Sequence, residues 1–335
     1  MLTLLLGTDW VANREAVFVR IAKDVQNEKS GRILIVPELI SHDTERRLCH
    51  AAGDTASRFA EVLTFTRLAQ RVSDAVGFGA PECLDNGGRV VAMASAARQL
   101  HSKLKAYAAV ETRPEFLTGL LDAVDEFKRC CITSADLMTA SKRTEGSFAQ
   151  KLEELSLLLD AYDSLCAQGK RDPRDQMTWL LEQLEDSDFA SSRVFYIDGF
   201  PDFTRQHSAI IEHLMVHSEQ VVVSLTCDRV GSDVPGFEKA GETAGQLIRL
   251  AENAGIEYQI IEIPSEKKPT RAILPGLFHN GVHEQCNALK TYRTETVSDE
   301  CHMVAEQILE MVQNGFRYRD IGVVCTDMTT YGNML

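Results

Sequence analysis

A short apolar run near the middle of the chain, Val194 to Ile197, is followed directly by Asp198 and Gly199. An uninterrupted apolar run of this length predicts a strand buried on both faces, which is typical of a parallel sheet. The carboxyl ends of such strands form the edge at which open α/β sheets bind ligands. In nucleotide hydrolases a carboxylate at this place holds magnesium, and the residue after it often polarises the attacking water. Gly199 has no side chain with which to do so.

Further apolar runs alternate with helical patterns on both sides of this strand. The patterns predict strands at residues 3–6, 31–38, 61–64, 221–226 and 258–263. They predict helices from about residue 12, at 43–48, at the end of 61–71, at 205–217 and at 244–254, with a surface loop at 233–241. Strands that alternate with helices indicate a parallel sheet with right-handed crossovers, so we expect an α/β fold.

Between residues 81 and 189 the pattern is helical almost throughout. Amphipathic repeats cover residues 90–104, 116–129 and 148–166, and strand-like runs are nearly absent. We interpret this stretch as an all-helical insertion into an α/β domain that consists of residues 1–80 and 190–265.

The end of the chain has the pattern of a separate unit. Two prolines and the pair Lys267 and Lys268 mark residues 266–282 as the best linker. Residues 286–294, 299–314 and 320–325 then read as strand, helix and strand, within a unit at 283–335. One such unit is too small to cover both faces of its own sheet, so we expect a fragment of a longer protein.

The first predicted strand, the glycine Gly7 and the first predicted helix have the layout of a phosphate-binding loop. The pattern GxxxxGK[ST] supplies a lysine for the terminal phosphates and a hydroxyl for magnesium. Laid on that pattern from Gly7, the chain has Ala12, Asn13 and Arg14 at the glycine, lysine and hydroxyl positions. On the residues alone, Gly7 is either an ordinary strand-to-helix turn or part of a phosphate loop that has lost its function.

Charge and composition limit the classes of partner and site. The formal net charge of -14 over 335 residues weighs against a grip on duplex DNA by bulk electrostatics, although a local basic groove remains compatible with it. No apolar run reaches the length of a membrane span, and the N-terminus lacks a signal peptide's basic start, so we expect a cytoplasmic protein. The nine cysteines form no CxxC pair, and His213 and His217 lack a third ligand at a recognisable spacing, so we expect no metal site.

Six short motifs, in this order and spacing, resemble one family across essentially the whole chain. They are VPE at 36–38, LTFTRLAQRV at 63–72, EFKR at 126–129, YIDGFPDFT at 196–204, VSLTCD at 223–228 and FRYRDIGVV at 316–324. The chain resembles the N-terminal region of the AddB subunit of bacterial AddAB helicase-nucleases, close to the RexB form.

The resemblance implies a superfamily 1 helicase-like fold. Residues 1–80 and 190–265 would form a RecA-like domain 1A, residues 81–189 its inserted subdomain 1B, and residues 283–335 the start of a second RecA-like domain. With its AddA or RexA partner, the family's subunit processes double-strand breaks for recombination, and its helicase-like body scans the exiting single strand for the Chi sequence.

The resemblance also bears on cofactors. The family's Mg²⁺-dependent nuclease domain and its 4Fe-4S cluster lie far downstream, so we expect no cofactor here. Members with an intact phosphate loop use ATP, whereas the RexB form has lost that loop. We therefore group Gly7, Ala12, Asn13, Arg14 and Asp198 as a degenerate nucleotide loop and expect no catalytic residue and no ATP hydrolysis.

The family's DNA-contacting positions fall on eight residues of this chain. They are Leu39, Ser41, Phe65, Thr66, Arg67, Gln70, Arg129 and Phe203. Arg129 could instead pair with acids on its own helix, and Phe65 and Phe203 could be core aromatics. Three function classes remain open: an inactive helicase-like module that binds single-stranded DNA, a working P-loop ATPase, and a scaffold for the partner subunit.

Overall fold

The computed structural model describes residues 1–77, 79, 82–108, 113–264 and 289–334. The chain divides into two compact units, Met1–Glu266 and Lys267–Leu335. The predicted linker at residues 266–282 lies outside the described residues. No helix in the described part of the chain is long and apolar enough to cross a membrane.

Six parallel strands form the sheet of the first unit, so the predicted α/β fold with a parallel sheet is confirmed. The strands are β1 (Leu2–Gly7), β2 (Arg32–Ile35), β3 (Ala60–Leu63), β4 (Val194–Ile197), β5 (Gln220–Thr226) and β6 (Tyr258–Glu262). Their spatial order is β3-β2-β4-β5-β1-β6. In register, Ile35 lies opposite Ile197, which in turn lies opposite Val223. All six carboxyl ends therefore meet at the same edge of the sheet.

Helices of the first unit cover both faces of this sheet and form a separate group between β3 and β4. They are α1 (Trp10–Gln26), α2 (Ser41–Ala52), α3 (Phe65–Val76), α4 (Asn86–Gln99), α5 (Pro114–Arg129), α6 (Ser134–Ser141), α7 (Gly146–Ala167), α8 (Gln176–Glu185), α9 (Arg205–His217) and α10 (Glu238–Asn253). The helix α10 begins inside the stretch expected to be a surface loop. Gly241 permits this, because a Cβ there would lie only 2.5 Å from the backbone nitrogen of Ser232.

Side chains of alternate strand residues lie in two separate apolar cores, one on each face of the sheet. On one face Leu5, Leu34 and Tyr196 pack with residues of α1 and α2. On the other face Leu4 and Phe195 pack with residues of α3, α8, α9 and α10. Because both faces are covered, the central strand β4 is apolar and buried at every position, which is the pattern that predicted it.

The helices α4 to α7, which lie between β3 and β4 in the sequence, have an apolar core of their own, built around Met93, Leu121 and Tyr162. Beside it lies a buried ionic network. The fully buried carboxylate of Asp172 contacts Arg89 at 3.1 Å and Lys128 at 3.4 Å, and it accepts a hydrogen bond from the Tyr162 hydroxyl at 2.8 Å. Burial and the neighbouring carboxylate of Asp172 raise the pKa of Tyr162.

The second unit contains the helix α11 (Val297–Gln313) and a single helical turn, α12 (Met328–Tyr331). The predicted helix is confirmed, and Gly315 follows it at a φ of +96°. The predicted strand at residues 320–325 is wrong: no strand is assigned there, since nothing described in this unit pairs with it and Val324 is 96% exposed. Of the other predicted strand, 286–288 lie outside the described residues and 289–294 are not a strand.

Candidate functional site

The carboxyl edge of three neighbouring strands, β3, β2 and β4, gathers most of the residues expected to contact DNA. Four of them lie in the first two turns of α3, two follow β2 and one follows β4. These seven are Phe65, Thr66, Arg67, Gln70, Leu39, Ser41 and Phe203. We call this surface the strand-end surface. Some of these residues lie more than 100 positions apart in the sequence. They come together only because their strands are neighbours in the sheet.

Exposed polar groups on the strand-end surface come mainly from α3. The Thr64 side chain caps this helix by accepting a hydrogen bond from the Arg67 backbone N–H at 3.2 Å. Thr66, Arg67 and Gln70 are exposed. Gln70 donates to Asp74 at 3.0 Å, whereas the Arg67 guanidinium makes no hydrogen bond or ion pair within the described residues. Arg67 is thus a cation that an incoming anion meets without having to displace a partner.

The residues after β2 present a different chemistry. Leu39 is 98% exposed in a short 3₁₀ turn, Glu38–Ile40, that connects β2 to α2. The Ser41 hydroxyl is half-buried and donates to the Glu38 carbonyl at 3.1 Å. A leucine so fully exposed contributes nothing to the fold, and it offers an apolar contact at the surface.

The two phenylalanines belong to an aromatic cluster beneath the strand-end surface. The Phe65 ring is 5% exposed and stacks on the His207 ring with centroids 4.2 Å apart. Phe203 is half-buried, and its ring lies 5.5 Å from that of Phe200. The burial of Phe65 and its stack on His207 favour the interpretation of this residue as a core aromatic that supports the start of α3. Burial lowers the pKa of His207, which keeps the stacked imidazole neutral.

Arg129, the eighth expected residue, lies at the end of α5 and not on the strand-end surface. Its guanidinium pairs with Glu126 of the same helix at 3.5 Å. This pairing with an acid of its own helix was the alternative to DNA contact that the sequence left open. Both side chains are more than half exposed, and such pairs contribute at most about 1 kcal/mol. The pair would therefore not prevent Arg129 from meeting a phosphate.

The loop after β1 is short and is closed by its own side chains. Only two residues separate β1 from α1, and the second, Asp9, caps the helix by accepting the Val11 N–H at 3.0 Å. The buried Asn13 amide donates to the carbonyl of Gly7 at 3.1 Å and to that of Leu225 at 3.0 Å. It thereby connects the ends of β1 and β5. Ala12 is half-buried in the first turns of the same helix.

Arg14 and Asp198 form a buried ion pair across this edge, with Nε to Oδ2 at 2.6 Å. The pair joins residues 184 positions apart and brings the first helix against the end of β4. Gly199 leaves room for this approach: its φ is +86°, and a Cβ there would lie 3.3 Å from Nη2 of Arg14.

These residues do not fit a magnesium-bound triphosphate. The Asp198 carboxylate is bonded to a guanidinium, and the Asn13 amide is committed to two backbone carbonyls. The Asp9 carboxylate occupies the helix N-terminus, where a phosphate would otherwise bind. Nor do the described residues include any His, Cys, Asp and Glu group able to hold a metal ion. His213 and His217 stack on each other, with centroids 4.3 Å apart.

A crevice of about 520 Å³ opens at the carboxyl ends of β2, β4 and β5, beside the first turns of α1. The chain leaves β2 through α2 toward β3 and leaves β4 through α9 toward β5, in opposite directions along the sheet. This is the switch point at which open α/β sheets bind ligands. We call it the switch-point crevice.

Sequence analysis missed three residues that line this crevice: Trp10, Arg47 and Lys239. Trp10 lies seven positions before the buried Val17, so helical spacing assigns its ring to the core. Because α1 begins beyond the sheet edge, the ring instead stays 53% exposed. Arg47 and Lys239 come from α2 and α10, which only the folded chain brings together.

Comparison with known proteins identifies similar chains. The family model described as "ADDB, N-terminal" matches residues 5–278. The chain is 27% identical over 325 residues to the B subunit of the ATP-dependent helicase/deoxyribonuclease of Clostridium acetobutylicum, covering 91% of this chain and 28% of that protein. It is 26% identical over 358 residues to the protein of the same name from Geobacillus kaustophilus, covering 100% of this chain and 31% of that protein. The chain thus spans less than a third of the length of these relatives.

Proposed function

The chain belongs to the AddB N-terminal family, and from this premise we propose that it is an inactive helicase-like module that binds single-stranded DNA. In this proposal residues 1–80 and 190–265 are a RecA-like domain 1A, residues 81–189 are subdomain 1B, and residues 283–335 begin a second RecA-like domain after a linker at 266–282. The six-stranded parallel sheet supports the assignment of the first domain.

One observation carries the proposal: the strand order brings seven of the eight residues expected to contact DNA to one edge of the sheet, where six are at least partly exposed and Phe65 is buried. Non-specific binding of a single strand needs cations for the backbone and apolar or aromatic faces for the bases. Arg67 supplies an exposed cation without an ion-pair partner in the described part of the chain. Leu39 supplies an apolar contact after β2, the strand next to the one that leads into α3.

The geometry of the first loop supports the absence of ATP hydrolysis. The ion pair of Arg14 with Asp198, and the bonds of Asn13 to two carbonyls, already use the groups that a nucleotide and its magnesium would need. We expect no magnesium-dependent ATP turnover. A turnover that disappears in the Asp198→Ala variant would contradict this expectation.

The partners of the module follow from what its relatives are called. The relatives are named as subunits of an ATP-dependent helicase/deoxyribonuclease. We propose that this chain is part of such a subunit, paired with an AddA or RexA type subunit in the cytoplasm. There the strand-end surface would hold the exiting single strand during double-strand break repair and take part in the recognition of Chi.

Fluorescence anisotropy with a labelled single strand of about 20 nucleotides at low salt tests the proposal. The wild-type chain should bind saturably. Arg67→Ala should weaken binding roughly fivefold, the factor that corresponds to about 1 kcal/mol for an exposed charge contact. Arg71→Ala is the matched control, since Arg71 lies one turn later on α3 and its guanidinium is bonded to Glu61 at 3.0 Å. A flat wild-type titration would favour a scaffold for the partner subunit.

A further inference from the structure

We propose that the switch-point crevice takes one nucleobase of the bound single strand, stacked on Trp10. This inference rests on the proposed function and extends it by a binding residue and a pocket. The chemistry recognised is a planar heteroaromatic ring followed by a phosphate, which a DNA strand or a free nucleotide could present. We assign it to the strand because of how the crevice continues the strand-end surface.

Trp10 has the properties of a fixed stacking platform. Its ring is 53% exposed at the first position of α1, where the helix leaves the sheet. The Arg14 guanidinium lies 5.3 Å from the ring centroid, and Arg14 is itself held by the buried carboxylate of Asp198. Contact with this fixed guanidinium restricts the rotation of the indole before a ligand arrives, which lowers the entropic cost of stacking.

The crevice has the size and lining of a site for a small aromatic group. Its volume of about 520 Å³ lies in the range of small-molecule pockets. Apolar lining comes from Ile40, Phe200, Pro201 and Ala240. The walls of the crevice thus resemble those of pockets that bind an aromatic ring.

The charges around the crevice favour a phosphate at the mouth and not in the interior. Arg47 pairs with Asp43 at 2.7 Å, and Lys239 pairs with Asp202 at 2.6 Å. Both pairs are well exposed, so an approaching phosphate can compete for their cations. Inside, the Asp198 carboxylate is already neutralised by Arg14 and does not repel a phosphate strongly.

The crevice is continuous with the strand-end surface. Ile40, which lines it, lies between Leu39 and Ser41, and Phe200 and Pro201 lie shortly before Phe203. A strand that crosses the ends of β2 and β4 therefore passes the mouth of the crevice. A free nucleoside triphosphate would need the loop after β1, where Asp9 and Asn13 already occupy the phosphate positions.

Tryptophan fluorescence tests the stacking directly, because the chain has two tryptophans and the other, Trp179, lies half-buried in α8. In the Trp179→Phe variant Trp10 is the sole indole. Its emission should be quenched as a deoxythymidine strand of about 20 nucleotides is added at low salt. A strand of the same length made of abasic sites should leave the emission unchanged.

Affinity measurements on the full chain provide the second readout. Trp10→Ala should weaken binding of the labelled strand about tenfold, and Trp10→Phe should restore most of the loss. Val19→Ala is the matched control, since Val19 is an exposed apolar residue of the same helix outside the crevice. Thermal melting of each variant should match the wild type, because the Trp10 ring is largely exposed.

Each contrary result has a distinct meaning. If the wild type binds the strand but Trp10→Ala binds equally well, or the Trp10 emission does not change, the inference fails and the proposed function stands. If the wild type binds no strand, both fail. Free thymidine monophosphate and ATP are tested at the same nucleotide concentration as the strand. If either quenches the Trp10 emission as the strand does, the assignment to DNA is overturned in favour of a free nucleotide.

Discussion

At the residue scale, the proposed absence of ATP turnover depends most on the buried ion pair of Arg14 with Asp198. The sequence showed that Arg14 stands where a hydroxyl is expected and that Asp198 ends a buried strand. It could not show that the two side chains bond to each other, because residues 184 apart meet only through the strand order. The same holds for Phe65, whose burial depends on His207 of a distant helix.

The first prediction concerns this pair. Arg14→Ala leaves the Asp198 carboxylate buried without its partner, so we expect the free energy of unfolding to fall by about 3–5 kcal/mol. Urea denaturation measures it. The double variant Arg14→Met with Asp198→Leu removes both charges and should recover most of the loss. A single variant as stable as the wild type would show that the pair is not buried in solution.

The second prediction concerns His207. Burial lowers its pKa in the folded chain, so the unfolded chain takes up a proton first as the pH falls below the ordinary value of about 6.5. Stability contributed by the neutral ring is therefore present at about pH 7 and is lost toward about pH 5. His207→Phe keeps an aromatic ring against Phe65 and should show a shallower decrease in the free energy of unfolding over this range. Equal slopes for the two proteins would mean that His207 does not titrate with folding.

At the element scale, the six strands of the sheet were predictable, whereas the absence of a strand at 320–325 and the start of α10 were not. Buried strands are evident in the sequence as apolar runs, and the six observed strands agree with those predicted for the first unit within a few residues. The run at 320–325 has the same composition, yet it is not a strand, since pairing and burial stabilise a strand and residue composition does not. The start of α10 was also missed, because close packing at Gly241 depends on Ser232.

The third prediction concerns the helices between β3 and β4. Asp172→Ala removes the shared partner of Arg89 and Lys128, so two cations lose a buried counter-charge. We expect a loss of about 3–5 kcal/mol in the free energy of unfolding, measured by urea denaturation followed by circular dichroism. Asp160→Ala, at an exposed position of the neighbouring α7, should change stability by at most about 0.5 kcal/mol. Equal effects of the two substitutions would exclude a structural role for the network.

At the scale of the whole molecule, the family match at residues 5–278 confirms the resemblance that six short motifs indicated. The motifs were enough to indicate the family because their order and spacing extend over the chain, although each motif is weak alone. The net charge of -14 repels DNA at long range, so the proposed binding would depend on short-range contacts at the sheet edge. The switch-point crevice could not be predicted, because five separate segments build it.

The central claim is that this helicase-like module binds single-stranded DNA without using a nucleotide. Its most direct test is one anisotropy titration of the wild-type chain with a labelled strand of about 20 nucleotides at low salt, repeated with ATP and Mg²⁺ present. We predict saturable binding with the same dissociation constant in both series. A flat titration, or a dissociation constant that ATP shifts, would contradict the claim.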